Sequence, residues 1–156
     1  MANCGILCHN HKGDPMPRIK LQALTHYPHQ TALSVRVTDL NYGNHLGNDA
    51  IVGLLQEARV HWLASLAASE IDLGDGSTGI IQTDLALNYL AEGHLHDALI
   101  VDTAVIEPSR IAFRLAQRLR RGDTILALAE TGFLGFDYSA GKRAPLPTPF
   151  RTRITG

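Results

Sequence analysis

The stretch 39-DLNYGNHLGNDAIVGLLQEARVHWL-63 decides the fold, because its character changes halfway along. From Asp39 to Asp49 it holds two Gly, three Asn, two Asp and one His beside only three aliphatic or aromatic residues. Asn, Asp and Gly tolerate the backbone conformations of tight turns, and a catalytic loop at the mouth of a helix has the same composition. Asn48 suits an N-cap and Asp49 complements the positive end of a helix dipole. A helix is therefore expected from about Asn48 to Ala68, ended by the turn-rich 69-SEIDLGDGSTG-79. At roughly 100° per residue, Ile51, Leu54, Leu55, Ala58, Trp62 and Leu66 form its main apolar stripe. Glu57 falls on a second face with Ala50, Gly53, His61 and Ala64. Gly53 costs about 1 kcal/mol relative to Ala in a helix interior, which a solvated face gives no reason to accept. Close approach of another backbone, a subunit or a substrate does give one. Two readings of Glu57 stay open: a surface partner of Arg59 or His61, or a site carboxylate.

Working outward, 30-QTALSVRV-37 alternates as a half-buried strand does. Further strands are expected over 80-IIQTDLALNYL-90, 98-ALIVDTAVIE-107 and 110-RIAFRLAQRLR-120. The last sets Ile111, Phe113, Leu115, Gln117 and Leu119 against a face carrying Arg110, Arg114, Arg118 and Arg120. Arg121-Gly122-Asp123 reads as a hairpin turn into 124-TILALAETGFLGFDYS-139. The tail from Lys142, with Pro145, Pro147 and Pro149, reads as extended and unable to pair centrally in a sheet. One long helix on one antiparallel sheet is an α+β layer architecture.

The chain's 156 residues, 45% hydrophobic and 19% charged, suit one domain. That domain is placed at residues 18–156, behind a flexible leader at 1–17. A net charge of −1 gives no global field toward nucleic acid or an anionic membrane. Gln56, Glu57, Arg59 and His61 interrupt the longest apolar run before it reaches the roughly 20 residues of a membrane span. No secretory pattern opens the chain, and a cytoplasmic location is expected. Cys4, Cys8, His9 and His11 cluster near the start, but their spacing matches no common zinc pattern. No metal and no cofactor are expected.

The long quoted stretch resembles the hotdog-fold acyl-CoA thioesterases of the 4-hydroxybenzoyl-CoA thioesterase family. Its nearest branch reads Asp-x-Asn/Asp-x-x-Gly/x-His-x-x-Asn, followed by a helix carrying Glu-Ala-Arg, here Glu57-Ala58-Arg59. The likeness runs from about Gln30 to Phe150. It takes in 80-IIQTDLALNYLAEGHLHDALIVDTAVIE-107 and 130-ETGFLGFDYSAGKRAPLPTPF-150. The resemblance implies a five-stranded antiparallel sheet wrapped around one long central helix. It also implies an acyl-CoA substrate and a homodimer or dimer of dimers, with sites at the subunit interface.

Thioester hydrolysis needs a polarised carbonyl and a base or nucleophile. Backbone N–H groups at a helix N-terminus can do the first, so Gly47, Asn48 and Asp49, with Asp39, are the expected substrate-contacting residues. Many relatives carry their catalytic Asp where Asn41 stands, and Asn cannot be a general base. Others use a helix carboxylate, whose nearest match here is Gln56, with Glu57 adjacent. The resemblance thus points to Glu57 as base, with His45 and Asn41 assisting. Asp39 and His45 each have a purely structural alternative, as holders of the loop. The arginine face either meets the phosphates of coenzyme A or is a solvated sheet face, and Lys142 and Arg143 are equal candidates for those phosphates. Acyl-CoA hydrolysis is the expected function. A non-catalytic acyl-thioester binder is the alternative, and a hydratase of related fold ranks last.

Overall fold

The five stretches expected as strands form five strands of one antiparallel sheet in the computed structural model, which describes residues 19–155. The expected leader and the Cys4, Cys8, His9 and His11 set lie outside the described residues. The elements run β1 (His29–Ser34), a 3-10 turn (Val37–Asp39), α1 (Asn48–Ser65), β2 (Thr78–Tyr89), β3 (Ala98–Ile106), β4 (Ala112–Arg121) and β5 (Thr124–Asp137). A two-residue β6 (Lys142–Arg143) and α2 (Thr148–Thr155) follow. The strand order is β1-β3-β4-β5-β2, with β6 added to β5. β1 and β2, adjacent elements in sequence on either side of α1, therefore stand at opposite edges.

The helix lies on the inner face of this sheet. Ile51, Leu54, Leu55 and Ala58 pack against Leu99, Val101, Leu119, Leu126 and Ala129 from β3, β4 and β5. Trp62 and Leu63 continue the stripe into a second cluster with Phe113, Leu115, Phe133 and Phe150. The alternation expected for β4 is seen, since Phe113, Leu115, Gln117 and Leu119 are each at most 1% exposed. Gln117 is the polar member of that row. Its Nε2 donates to the Leu55 carbonyl of α1 at 3.0 Å, so a side chain from the sheet grips the middle of the helix.

Three expectations change. The helix stops at Ser65 rather than near Ala68, because Leu66 caps it and Ala67 turns to φ 50°. The tail is not simply extended: Thr148-Pro149 begins α2, where proline's fixed φ suits the first helical turn and its missing N–H costs nothing. Phe150 then reaches full burial against Trp62 and Phe113. The arginine face is not a free basic surface either. Arg114 pairs with Asp84 at 2.6 Å, and Arg118 and Arg120 meet buried Asp102 at 2.8 and 2.7 Å. Arg118 stands directly across the β3–β4 ladder from Asp102, and its guanidinium covers the Tyr27 ring at 4.6 Å. Those charges are used in holding the sheet's outer face, which leaves little for a phosphate.

Candidate active site

Backbone pairing shapes the loop before α1. Leu40 and Leu46 form an isolated bridge, the Asn41 N–H donates to the His45 carbonyl at 2.9 Å, and the Asn44 N–H donates to the Asn41 carbonyl at 3.0 Å. Asn44 takes φ 60°, a conformation that Asn tolerates. Within this turn the Asn41 Oδ1 accepts the Gly43 N–H at 2.8 Å, and its Nδ2 lies 3.3 Å from His45 Nδ1. The structure thus brings Asn41 and His45 together. Tyr42 between them is fully exposed.

Asp39 anchors the other end of the loop. It is 5% exposed and accepts the Arg36 N–H at 2.8 Å and two guanidinium bonds at 3.1 and 3.0 Å. Those Arg36 bonds hold its carboxyl below the usual carboxylate range. Its backbone carbonyl takes the Gly47 N–H at 2.8 Å, tying loop to helix start.

The N-terminus of α1 opens beside this loop. Gly47, rather than the expected Asn48, is the N-cap; Asn48 is already the first helical residue, and no side chain caps the helix. The N–H groups of Asn48, Asp49 and Ala50 have no partner among the described residues, so the positive end of the dipole faces outward. Asp49 folds back over Gly47, where an added Cβ would sit 2.7 Å from its Oδ1. Tyr89, at the end of β2, donates its hydroxyl to the Asn48 carbonyl at 3.3 Å. The sequence places Tyr89 only within the expected strand 80–90, and nothing in the local pattern links two residues 41 positions apart.

Glu57 stands elsewhere. Nine residues after Asn48, it is roughly 13 Å further along the helix axis at 1.5 Å per residue. It is exposed and lies 3.2 Å from the exposed His61. Arg59, the other partner considered, is instead buried, bonded to Glu70 at 2.7 Å and set over the Phe133 ring at 4.9 Å. Glu57 lines an open cleft of about 400 Å³ with Arg36, Ser34, Leu33 and Leu54, so a carboxylate and a guanidinium share an apolar floor. No hydrogen bond joins Glu57 to Asn41 or His45 within one chain. Gly53, Glu57, Val60, His61 and Ala64 form an uncovered helix face.

Among the described residues, no cluster of three or more His, Cys, Asp or Glu could hold a metal ion, and no helix is long and apolar enough to cross a membrane.

The thioesterase-like superfamily matches this chain over residues 35–154. The chain is also similar to several solved structures. A 1,4-dihydroxy-2-naphthoyl-CoA thioesterase from Synechocystis is 22% identical with a TM-score of 0.71, over 80% of this chain and 93% of that one. A gentisyl-coenzyme A thioesterase is 16% identical with a TM-score of 0.73, over 81% and 100%. A hypothetical protein from Aquifex aeolicus is 17% identical with a TM-score of 0.76, over 82% and 100%. At these identities the likeness is one of fold, and that fold is the hotdog. No curated protein matches the chain.

Proposed function

Because the chain belongs to the thioesterase-like superfamily, we propose that it hydrolyses acyl-CoA thioesters to a free acid and coenzyme A, as a member of the 4-hydroxybenzoyl-CoA thioesterase branch. The observation that supports this most is the uncapped N-terminus of α1, opening beside the Asn41–His45 pair. Water adds to the thioester carbonyl, negative charge gathers on its oxygen, and the C–S bond then breaks to release thiolate. The free N–H groups of Asn48 to Ala50 suit that oxyanion, since they donate without reorganising. Asn41 and His45 orient the thioester or the water. Glu57 takes the proton from water. Since its own loop lies far along the helix, the Glu57 that acts comes from a second copy, and the working unit is a homodimer or a dimer of dimers. The uncovered face around Gly53 supplies a surface for such an approach.

The test is release of free thiol from a panel of acyl-CoA esters. Wild type is expected to turn over at least one ester, and Glu57→Gln to lose about 100-fold or more in kcat, a typical loss for a general base. Unchanged kcat in Glu57→Gln would remove that residue from the chemistry. A second reading, a non-catalytic acyl-thioester binder, draws on a specific feature. Position 41 itself carries an amide, and Asp39, two residues before it, is occupied by Arg36. Tight acyl-CoA binding with no turnover on any ester would favour it.

A further inference from the structure

At the far end of α1 from the loop, its last turn faces the start of β1, the middle of β3 and the end of α2 around a cavity of about 500 Å³. That volume falls within the range for small organic ligands. Its walls are unevenly built. Leu24, Trp62, Leu66 and Ile154 supply apolar surface, whereas His26, His29 and Arg153 supply nitrogen donors, and no Asp or Glu lines it. Arg153 has no carboxylate within ion-pair distance among the described residues, and its one hydrogen bond is a long 3.4 Å contact to the Leu73 carbonyl. Burial, with His61 nearby, holds His29 below the usual imidazole range, so the fixed positive charge is that of Arg153.

Thr103 adds a second, independent sign. It stands in the cavity wall directly across the β1–β3 ladder from His29. It is 1% exposed, and its Oγ1 has no hydrogen-bond partner. A buried hydroxyl left unpaired is unfavourable for the fold. The helix carbonyls nearby do not compete for a ligand. Leu63 and Ala64 accept from Leu66, Ala67 and Ala68, and Trp62 accepts from the Ser65 hydroxyl.

We propose that this cavity binds a small amphipathic carboxylate, its head paired with Arg153 and hydrogen-bonded by Thr103, its apolar body lying along Trp62 and Leu66. The acid that thioester hydrolysis releases belongs to this class, so the site offers the protein a means of sensing its own product. Binding itself does not depend on the hydrolytic reading.

Trp62 is the chain's one tryptophan, so its fluorescence reports on this cavity. Octanoate and octanol, alike in apolar length, are the probes. Octanoate should change the emission saturably and bind about tenfold or more tighter than octanol, as a charge-assisted pair requires. Arg153→Gln should abolish that preference while leaving octanol unchanged. Thr103→Val should weaken octanoate without lowering the melting temperature, because the hydroxyl has no partner in the unliganded protein. Glu57→Gln should leave binding intact, which separates this site from the hydrolytic one. Absence of a saturable change, equal binding of octanol, or unaltered octanoate binding in Arg153→Gln would each overturn the proposal.

Discussion

Replacing Asp102 with Ala should cost the fold about 3 kcal/mol. Its carboxylate is fully buried on the outer face of the sheet and accepts from Gln30 Nε2 at 2.8 Å, Arg118 Nε at 2.8 Å and Arg120 Nε and a terminal nitrogen at 2.7 and 3.2 Å. Asp102→Ala strands two guanidinium groups and an amide at once. Removing one partner of a buried ion pair typically costs about 3–5 kcal/mol. Here the arginine side chains are 25% and 23% exposed and can turn partly toward water, which brings the expectation to about 2–4 kcal/mol. Urea unfolding at pH 7 measures it directly, as a lowered midpoint with an unchanged slope. By heat, the same loss is roughly 6–12 °C for a chain of this size. Acid gives a second signature. Burial pushes the Asp102 pKa up, but the bonds from Arg120 and Arg118 outweigh it and hold the group below its ordinary range. A group depressed in the folded state contributes stability above its unfolded pKa, near 4, and loses it as pH falls through the folded value. The gap between wild type and Asp102→Ala should therefore close on acidification below about pH 4. A loss under about 1 kcal/mol at neutral pH, or a gap that stays constant into strong acid, would refute the reasoning.

Two further outcomes are expected. Gly135→Ala should cost about 1–3 kcal/mol, because an added Cβ would collide with the Ala144 carbonyl oxygen and lie 3.4 Å from that of Ile111. Ile111 and Ala144 are each backbone-bonded to Gly135, so neither yields; chemical denaturation against wild type checks it. Asn41→Asp should keep the Gly43 bond but lose the amide donor and add charge where an oxyanion forms, lowering kcat by about tenfold or more. Turnover gained in that variant would instead favour the binder reading of the native loop.

How much of this was legible beforehand depends on the range of the forces involved. β4 could be read because its inward and outward residues alternate strictly, a signal local to ten residues. So could the chain's entry into α1, although the cap falls on Gly47 and not on Asn48. α2 was signalled as well, by Thr148 ahead of Pro149, but three prolines in five residues argued more loudly for an extended tail. The Asp102 cluster was not legible, since β3 and β4 had to be paired in register before Arg118 could face it. Nor was the fate of Arg59: two positions after Glu57 it points to nearly the opposite side of the helix, and only the fold brings Glu70 and Phe133 to it. The candidate site divides along the same line. Asn41 and His45, four positions apart, meet through a local turn, whereas nothing in the chain's pattern carries either of them to Glu57, which stands well along the helix.

The amide of Gln117, anchored in the central strand and fastened to the Leu55 carbonyl, works like a key in a shaft. A rod held only by greasy contacts could twist or slide by a notch at small penalty, whereas this one is indexed. Adding one residue between Asn48 and Leu55 would swing everything upstream by roughly 100°, pointing the open amides away from Asn41. Insertions and deletions among relatives of this chain should therefore spare the seven residues that follow Gly47, whatever substitutions those positions accept.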